Sequence, residues 1–309
     1  MIRNYCFSLI NYLRRHKIRT AIGGILLLWY IFCLPGTLFK EGYATIVESR
    51  EGKLLGGKIA PDGQWRFPER DTVPYKLREA ILAFEDAHFY YHWGVNPIST
   101  AKALLTNLRH GHTVRGGSTL TQQVIRLARK NKARTYGEKL IEAIWATRLE
   151  FRYSKEKILA LYASHAPFGG NVIGADMAAW RYFGVSLEQL SWAEACTLAV
   201  LPNAPGLIFP GRNQNALRKK RDFLLEKLLK NHTIDKTTYE LSLEEPLVER
   251  PHELPNIAPH LVERIARTTP NKRQVTTIDY YLQERVQEVI AKYYRHYKRF
   301  EVHNLCPGG

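Results

Sequence analysis

A mainly helical fold with a small β-hairpin near its N-terminus, preceded by one membrane-spanning helix, is the architecture this sequence predicts. Three observations predict it. An uncharged run over residues 20–39 follows a basic tail, two-residue alternation appears between residues 43 and 68, and from residue 75 onward apolar residues recur at spacings of three and four behind repeated helix-start signals. The chain has 309 residues, enough to bury a full core in one large domain or two small ones.

Residues 1–19 hold Arg3, Arg14, Arg15, Lys17 and Arg19 and no acidic residue, and read as a cytoplasmic basic tail. The run that follows, through Leu26-Leu27-Leu28-Trp29-Tyr30 to Phe39, matches the ~20 residues a transmembrane helix needs. The basic flank places the N-terminus in the cytoplasm and the remainder of the chain outside. A cleaved signal peptide is the alternative. The length of the run, its interruption by Trp29 and Tyr30 and the absence of a small-x-small site after it favour an uncleaved anchor. Residues 40–70 carry alternating segments at Ala44-Thr45-Ile46-Val47-Glu48 and Leu54-Leu55-Gly56-Gly57-Lys58-Ile59, with turns at Glu51-Gly52 and Pro61-Asp62-Gly63, so a hairpin or short sheet is expected there.

Helices follow over residues 71–251, the expected catalytic domain. Pro97 at a first helical position opens one, Ser118 a second, Thr135 with Glu138 as a capping box a third, and Ser154 a fourth. Ser191 and Glu194 form another box, and Pro202 and Pro205 end that helix. Residues 214–231 read as a surface helix whose Lys219-Lys220-Arg221 run is a solvated face, with lipid phosphate as the lesser reading. Beyond residue 251 the chain reads as a linker with Pro255 and Pro259, a strand at Gln274-Val275-Thr276-Thr277 and an amphipathic helix from Tyr280.

The formal charge is +16. Such an excess suits a polyanion, an anionic membrane surface or a substrate carrying phosphates. No zinc-finger spacing, aromatic RNA-binding signature or continuous basic helix accompanies it, so no nucleic-acid partner is expected. Cys6, Cys33, Cys196 and Cys306 lie far apart and make neither a disulfide framework nor a CxxC site; Cys196 reads as a small core residue.

Three stretches carry chemistry. Glu85-Asp86-Ala87-His88-Phe89-Tyr90-Tyr91-His92-Trp93-Gly94 continues the spacing of residues 77–84, so it reads as one helix with Glu85, His88, Phe89 and His92 on a shared face. A carboxylate beside imidazoles and a phenyl ring is placed to lose hydration and serve as a base. A surface helix decorated with acidic and His residues is the plain alternative. Zinc at His88 and His92 would need Glu directly after the first His, where Phe89 stands. In the second stretch, Arg115-Gly116-Gly117-Ser118-Thr119-Leu120-Thr121-Gln122-Gln123, glycines permit close backbone approach and hydroxyls start a helix whose free amides favour an anion. The third supplies charge through Arg126, Arg134, Lys139 and Glu142, the last two on one helix face.

Taken in order, these stretches resemble the peptidoglycan glycosyltransferase domain of class A penicillin-binding proteins and monofunctional murein polymerases. Those proteins carry a Glu-Asp-x-x-Phe-x-x-His-x-Gly helix, a Gly-x-Ser-Thr-[Ile/Leu]-Thr-Gln-Gln loop and a basic segment ending in Lys-x-x-Glu. The resemblance covers roughly residues 40–251. One departure, Tyr162-Ala163-Ser164 where most relatives have Tyr-Leu-Asn, leads into His165-Ala166-Pro167-Phe168-Gly169-Gly170-Asn171, which is similar to the penicillin-binding protein 1C branch; its glycines are expected to form a tight turn between helices.

The resemblance implies a lysozyme-like fold and polymerisation of lipid II, a lipid diphosphate-linked disaccharide pentapeptide, into glycan strands. It further implies Glu85 as general base and Glu142 as a second catalytic carboxylate near the leaving diphosphate. The substrate-binding residues it implies are Asp86, Phe89, His92, Gly117, Ser118, Thr119, Gln122, Gln123, Arg126, Arg134 and Lys139. Glu142 would hold a divalent cation, magnesium or manganese, if one takes part; no organic cofactor is implied. The implied partners are lipid II, the growing lipid-linked glycan, the cytoplasmic membrane and other cell-wall synthesis proteins. Residues 252–309 would then be a linker and the truncated start of a transpeptidase domain. No transpeptidase activity is expected, since Ser154-Lys155-Glu156-Lys157 has the nucleophile spacing without its partner motifs, and Ser154 reads as a helix cap. A lysozyme-like glycan hydrolase using Glu85 and Glu142, and an inactive truncated scaffold, are the competing readings.

Overall fold

The computed structural model describes residues 15–110, 116–132, 135–208 and 210–297; Arg134 and the first fourteen residues lie outside the described residues. The chain divides into two compact units, one formed by residues 1–40 with 91–158 and the other by residues 41–90 with 159–309. The described secondary structure is mainly helical.

In the first unit, α1 (Lys17–Phe32) is followed by α3 (Pro97–His110), α4 (Leu120–Ala128) and α5 (Tyr136–Arg152). Among the described residues no helix is long and apolar enough to cross a membrane. The expected span over residues 20–39 is thus not shown: the described α1 has 16 residues, and the uncharged run leaves the helix at Cys33 because Pro35 lacks an amide donor and disfavours helical backbone at Leu34. None of the side chains of α1 is buried, and Ile25 is 66% exposed. Polar contacts join α1 and the residues after it to α5. The Tyr30 and Thr147 hydroxyls meet at 3.1 Å, Arg148 Nε donates to the Ile31 carbonyl at 3.1 Å, and Arg152 donates to the Pro35 carbonyl at 2.6 Å.

Helix starts fall close to their predicted places. Thr119, rather than Ser118, caps α4, with Gln122 closing a reciprocal box. Thr135 caps α5 by accepting from the Glu138 amide at 3.1 Å, but only this half of the expected box forms: the Glu138 carboxylate accepts from Arg129 at 2.6 Å.

The second unit contains two three-stranded sheets. In the first, β1 (Thr45–Glu48) pairs antiparallel with β2 (Leu54–Lys58), as the hairpin signal predicts, and β6 (Arg273–Val275) joins the other edge of β1 in parallel. That late strand explains a departure from the alternating pattern. All four residues of β1 are buried, because the strand is central and α11 (Pro259–Thr268) covers it through Val262 and Ile265, packed with Val47 and Leu55. Gly56 admits that helix, since a Cβ there would stand 3.0 Å from a Val262 methyl. The second sheet orders β3 (Trp65–Arg66), β5 (Val172–Ile173) and β4 (Pro167–Gly169). The glycines after His165 thus turn a small hairpin rather than join two helices directly, with Gly170 at φ +56°.

Around these sheets α2 (Tyr75–Glu85), α8 (Trp192–Val200) and α9 (Gln214–Lys230) build the main helical core from Leu77, Ile81, Cys196, Leu198, Leu217, Leu224 and Leu228, all essentially buried. Helices α6 (Lys155–His165), α7 (Ala175–Phe183), α10 (Lys236–Glu244) and α12 (Tyr280–Tyr297) complete the described set. A charged clasp holds β6: Arg273 donates to Glu48 at 2.6 Å and to Asp176, which also accepts from Arg70 at 2.8 Å. Glu48 and Asp176 are nearly buried, so their negative charges depend on these guanidinium groups. Replacing Arg273 by Ala should cost about 3 kcal/mol in urea unfolding, because it strips a buried carboxylate of its cation; an unchanged midpoint would mean that β6 is held by backbone pairing alone.

Candidate active site

Apart from Arg134, the residues singled out above fall into two groups, one in each unit. In the second unit, α2 ends at Glu85 because Asp86 adopts extended backbone (φ −157°, ψ 79°) while its amide still donates to the Leu82 carbonyl at 3.0 Å. Phe89 then begins a single 3₁₀ turn, its amide donating to the Asp86 carbonyl at 3.0 Å. The helix expected over residues 77–94 is therefore broken, and Glu85, His88, Phe89 and His92 do not share a helical face. Phe89 and Asp86 are buried, His88 is exposed and Glu85 is half-buried.

Glu85 acts on two groups in its own unit. Burial pushes the Tyr162 phenol well above its usual value, and the charge of Glu85 adds to the effect. That hydroxyl makes no hydrogen bond of standard geometry among the described residues. Partial burial lowers the Lys220 ammonium below the usual lysine range, opposed by the attraction of Glu85. Lys220 Nζ donates to Asn203 Oδ1 at 2.8 Å. One heptad on, Lys227 Nζ donates to the Ala83 carbonyl in the last turn of α2, where a cation meets the unsatisfied carbonyls of a helix C-terminus. Helix α9 thus lays two lysines along the end of the helix that carries Glu85.

The solvated-face reading of Lys219-Lys220-Arg221 is corrected accordingly. Arg221 is 1% exposed and donates to the Glu245 and Leu243 carbonyls, so only Lys219 faces solvent freely. Lys220 is the residue that the sequence reading missed near Glu85. The available signal was periodic: Leu217, Arg221, Leu224 and Leu228 recur at helical spacing, which puts Arg221 on the buried stripe and Lys220 beside it.

In the first unit, the Thr119 capping box sets the start of α4, and the helix then carries Arg126 toward α5. Arg126 grips Glu142 with a two-pronged fork, Nε to Oε1 at 2.9 Å and a terminal nitrogen to Oε2 at 3.0 Å. Lys139 Nζ reaches the same Oε2 at 3.2 Å and the Ser118 hydroxyl at 2.8 Å, and Arg126 also meets that hydroxyl at 3.2 Å. The structure therefore brings together Ser118, Arg126, Lys139 and Glu142. Burial pushes the Glu142 carboxyl up, but hydrogen bonds and charge from Arg126, with Lys139 behind them, outweigh it and hold the group below the ordinary carboxylate range.

Thr119 and Gln122 are buried, and their polar atoms serve the cap and the loop: Gln122 Oε1 accepts from the Thr119 amide at 3.1 Å, and the Thr119 hydroxyl donates to the Gly94 carbonyl at 2.6 Å. The amide of Gln122 is taken by the Thr119 hydroxyl and that of Gln123 by the Thr119 carbonyl. Two side chains, Arg126 and Lys139, bring positive charge to this site. His92 is buried, its Nδ1 accepting from the Gly94 amide at 3.2 Å, and Gly117 sits tight against Thr100 and Ala103 of α3.

Both oxygens of Glu142 are engaged by cations, and no cluster of three His, Cys, Asp or Glu residues suited to a metal is present among the described residues.

The family described as transglycosylase matches residues 56–229 of the chain. Over 256 residues the chain is 36% identical to penicillin-binding protein 1C of Escherichia coli (strain K12), covering 82% of this chain and 33% of that protein. It is 34% identical over 177 residues to penicillin-binding protein 1A of Aquifex aeolicus (strain VF5), covering 57% and 24%. The crystal structure of penicillin-binding protein 1A from Haemophilus influenzae gives a TM-score of 0.39 at 20% identity, covering 81% of this chain and 29% of that one. The chain spans about a third or less of the length of these relatives.

Because Glu142 is held below the ordinary carboxylate range, its contribution to stability is complete above that range and is lost as pH falls through its folded-state value. A Glu142→Gln variant should be about 2 kcal/mol less stable than the parent near neutral pH. The difference, measured by urea unfolding, should close as the pH is lowered from about 5 toward 3.

Proposed function

Since the chain belongs to the transglycosylase family, we propose that it polymerises lipid II into peptidoglycan glycan strands at the outer face of the cytoplasmic membrane, releasing the undecaprenyl diphosphate carrier. The observation that carries this reading is the Ser118–Arg126–Lys139–Glu142 cluster, two cations converging on one carboxylate and one hydroxyl. The two positive charges exceed the single carboxylate between them, so the cluster keeps a net attraction for an anion. Cleavage of a neutral glycosidic bond has no diphosphate to neutralise and gives such a cluster nothing to do.

In the proposed reaction the 4-hydroxyl oxygen of the incoming sugar attacks the anomeric carbon of the growing strand. The bond from that carbon to the diphosphate oxygen breaks, and the oxygen leaves with the electron pair. Glu85 takes the hydroxyl proton, and inversion follows from the single displacement. Arg126 and Lys139 receive the departing charge, a role suited to a planar guanidinium fork and a compact ammonium. Glu142 aims the fork of Arg126, and Ser118 ties both cations to the loop that precedes α4. Asp86, Phe89, His92, Gly117, Thr119, Gln122 and Gln123 shape the two clusters from behind, and Arg134 adds charge to the segment that leads into α5. A lysozyme-like arrangement of the helices and single-pass anchoring belong to the same proposal. The basic N-terminal residues and the exposed apolar side chains of α1 support contact with a lipid surface.

The test is an incubation of the full chain with lipid II and, separately, with finished glycan. Polymer from the first and no cleavage of the second is the expected result; cleavage of finished glycan without polymer would establish the hydrolase instead. Glu85→Gln should fold normally and lose at least about two orders of magnitude in polymerisation rate, the usual worth of a general base. Lys220→Met should also slow the reaction, by about tenfold, through loss of a cation whose charge interacts with that base.

A further inference from the structure

The cation cluster is supported from behind by a second set of polar groups. Lys155, at the start of α6, donates to the His92 carbonyl at 2.7 Å and to Glu150 Oε1 at 2.8 Å. That same oxygen accepts from the Thr121 hydroxyl at 2.6 Å. Thr121 is fully buried, and the Glu150 and Lys155 side chains are 10% and 20% exposed. Charges this far from water are retained at a cost in desolvation, so the geometry they impose needs an explanation beyond solubility.

Two routes lead from Lys155 to α4. Through Glu150 it reaches Thr121, in the first turn of that helix. Through the His92 carbonyl it holds the loop at residues 92–94, which is pinned again where the Gly94 carbonyl accepts from Thr119, the cap of α4. Gly94 is left-handed at φ +84°, and a Cβ there would lie 2.6 Å from the Ala146 carbonyl of α5, so this loop has little room to shift. Both routes end on the turn that carries Ser118 and sends Arg126 toward Glu142.

We propose that Lys155 is a positioning residue for the cation cluster, holding the start of α4 against α5 through Glu150–Thr121 and through the 92–94 loop. The inference rests on reading that cluster as the acceptor of the leaving diphosphate. Lys155 reaches the cluster through Glu150, Thr121 and the 92–94 loop and is not one of its charges, so its removal displaces Arg126 and Ser118 without altering the number of charges there. A displacement of about 1 Å at such groups costs on the order of 10²-fold in rate.

Inorganic pyrophosphate serves as the probe, with lipid II polymerisation measured in parallel on the full chain. Lys155→Met is expected to lower kcat by on the order of 10–10²-fold with KM little changed, and to weaken pyrophosphate binding by about tenfold. Lys155→Arg, which keeps the charge and the donors, is expected to recover most of both. A fall in kcat with unaltered pyrophosphate affinity would overturn the proposal, because a variant that is merely less stable loses active molecules without changing the affinity of those that remain. Should Lys155→Met fail to fold, Thr121→Val cuts one of the two routes and carries the same expectation at smaller size. A parent that binds pyrophosphate yet makes no polymer would refute the functional reading while leaving this one standing.

Discussion

Two cations in the first unit are held within reach of each other by one carboxylate. Arg126 and Lys139 would repel at this separation, and Glu142 between them cancels most of that repulsion while satisfying both. Glu142 is buried, so it depends on the cations in turn: alone, it would favour the protonated form. The arrangement stays positive overall while each member is hydrogen-bonded, which in the proposed reaction would let it receive the departing diphosphate without rearranging. Ser118 adds a neutral oxygen that both cations share, which fixes their spacing more closely than charge alone would.

The elements around this cluster are explained by what it needs. Arg126 must leave α4 at a defined angle, and the Thr119–Gln122 box sets where that helix begins. Thr119 and Gln122 resemble ligands in the sequence because they are polar and follow a glycine pair; buried, they act on the backbone and leave the charged chemistry to their neighbours. Gly94 shows the same logic from the packing side. Its left-handed backbone and its contact with Ala146 bring a loop against α5 where any side chain would collide.

The second unit presents Glu85 by a different device. Its helix ends at that residue, because Asp86 turns out of helical backbone, and α9 supplies lysines to the exposed end. A carboxylate at a helix C-terminus sits in an unfavourable field from the helix dipole, and Lys227 on the last carbonyls with Lys220 near the carboxylate oppose that field. Arg221, between them in sequence, is turned inward to close the loop after α10 through the Glu245 and Leu243 carbonyls.

The amino-acid sequence by itself determined the helical class, the hairpin at residues 45–58, the caps at Thr135 and Ser191, the late helix from Tyr280 and the pairing of Lys139 with Glu142 along one helix face. Each rests on interactions between residues close in the chain, where periodicity and capping chemistry apply directly. Tertiary structure decided the rest. Burial of every residue of β1 depends on a strand and a helix more than two hundred residues later, and the break after Glu85 overrode a helical pattern that continued through Phe89. The inward turn of Arg221, the place of Lys220 near Glu85 and the Lys155–Glu150–Thr121 ladder all join residues that no local pattern connects. Such contacts are set by which helices pack together, and a side chain's partner across that packing is invisible until the fold has placed it.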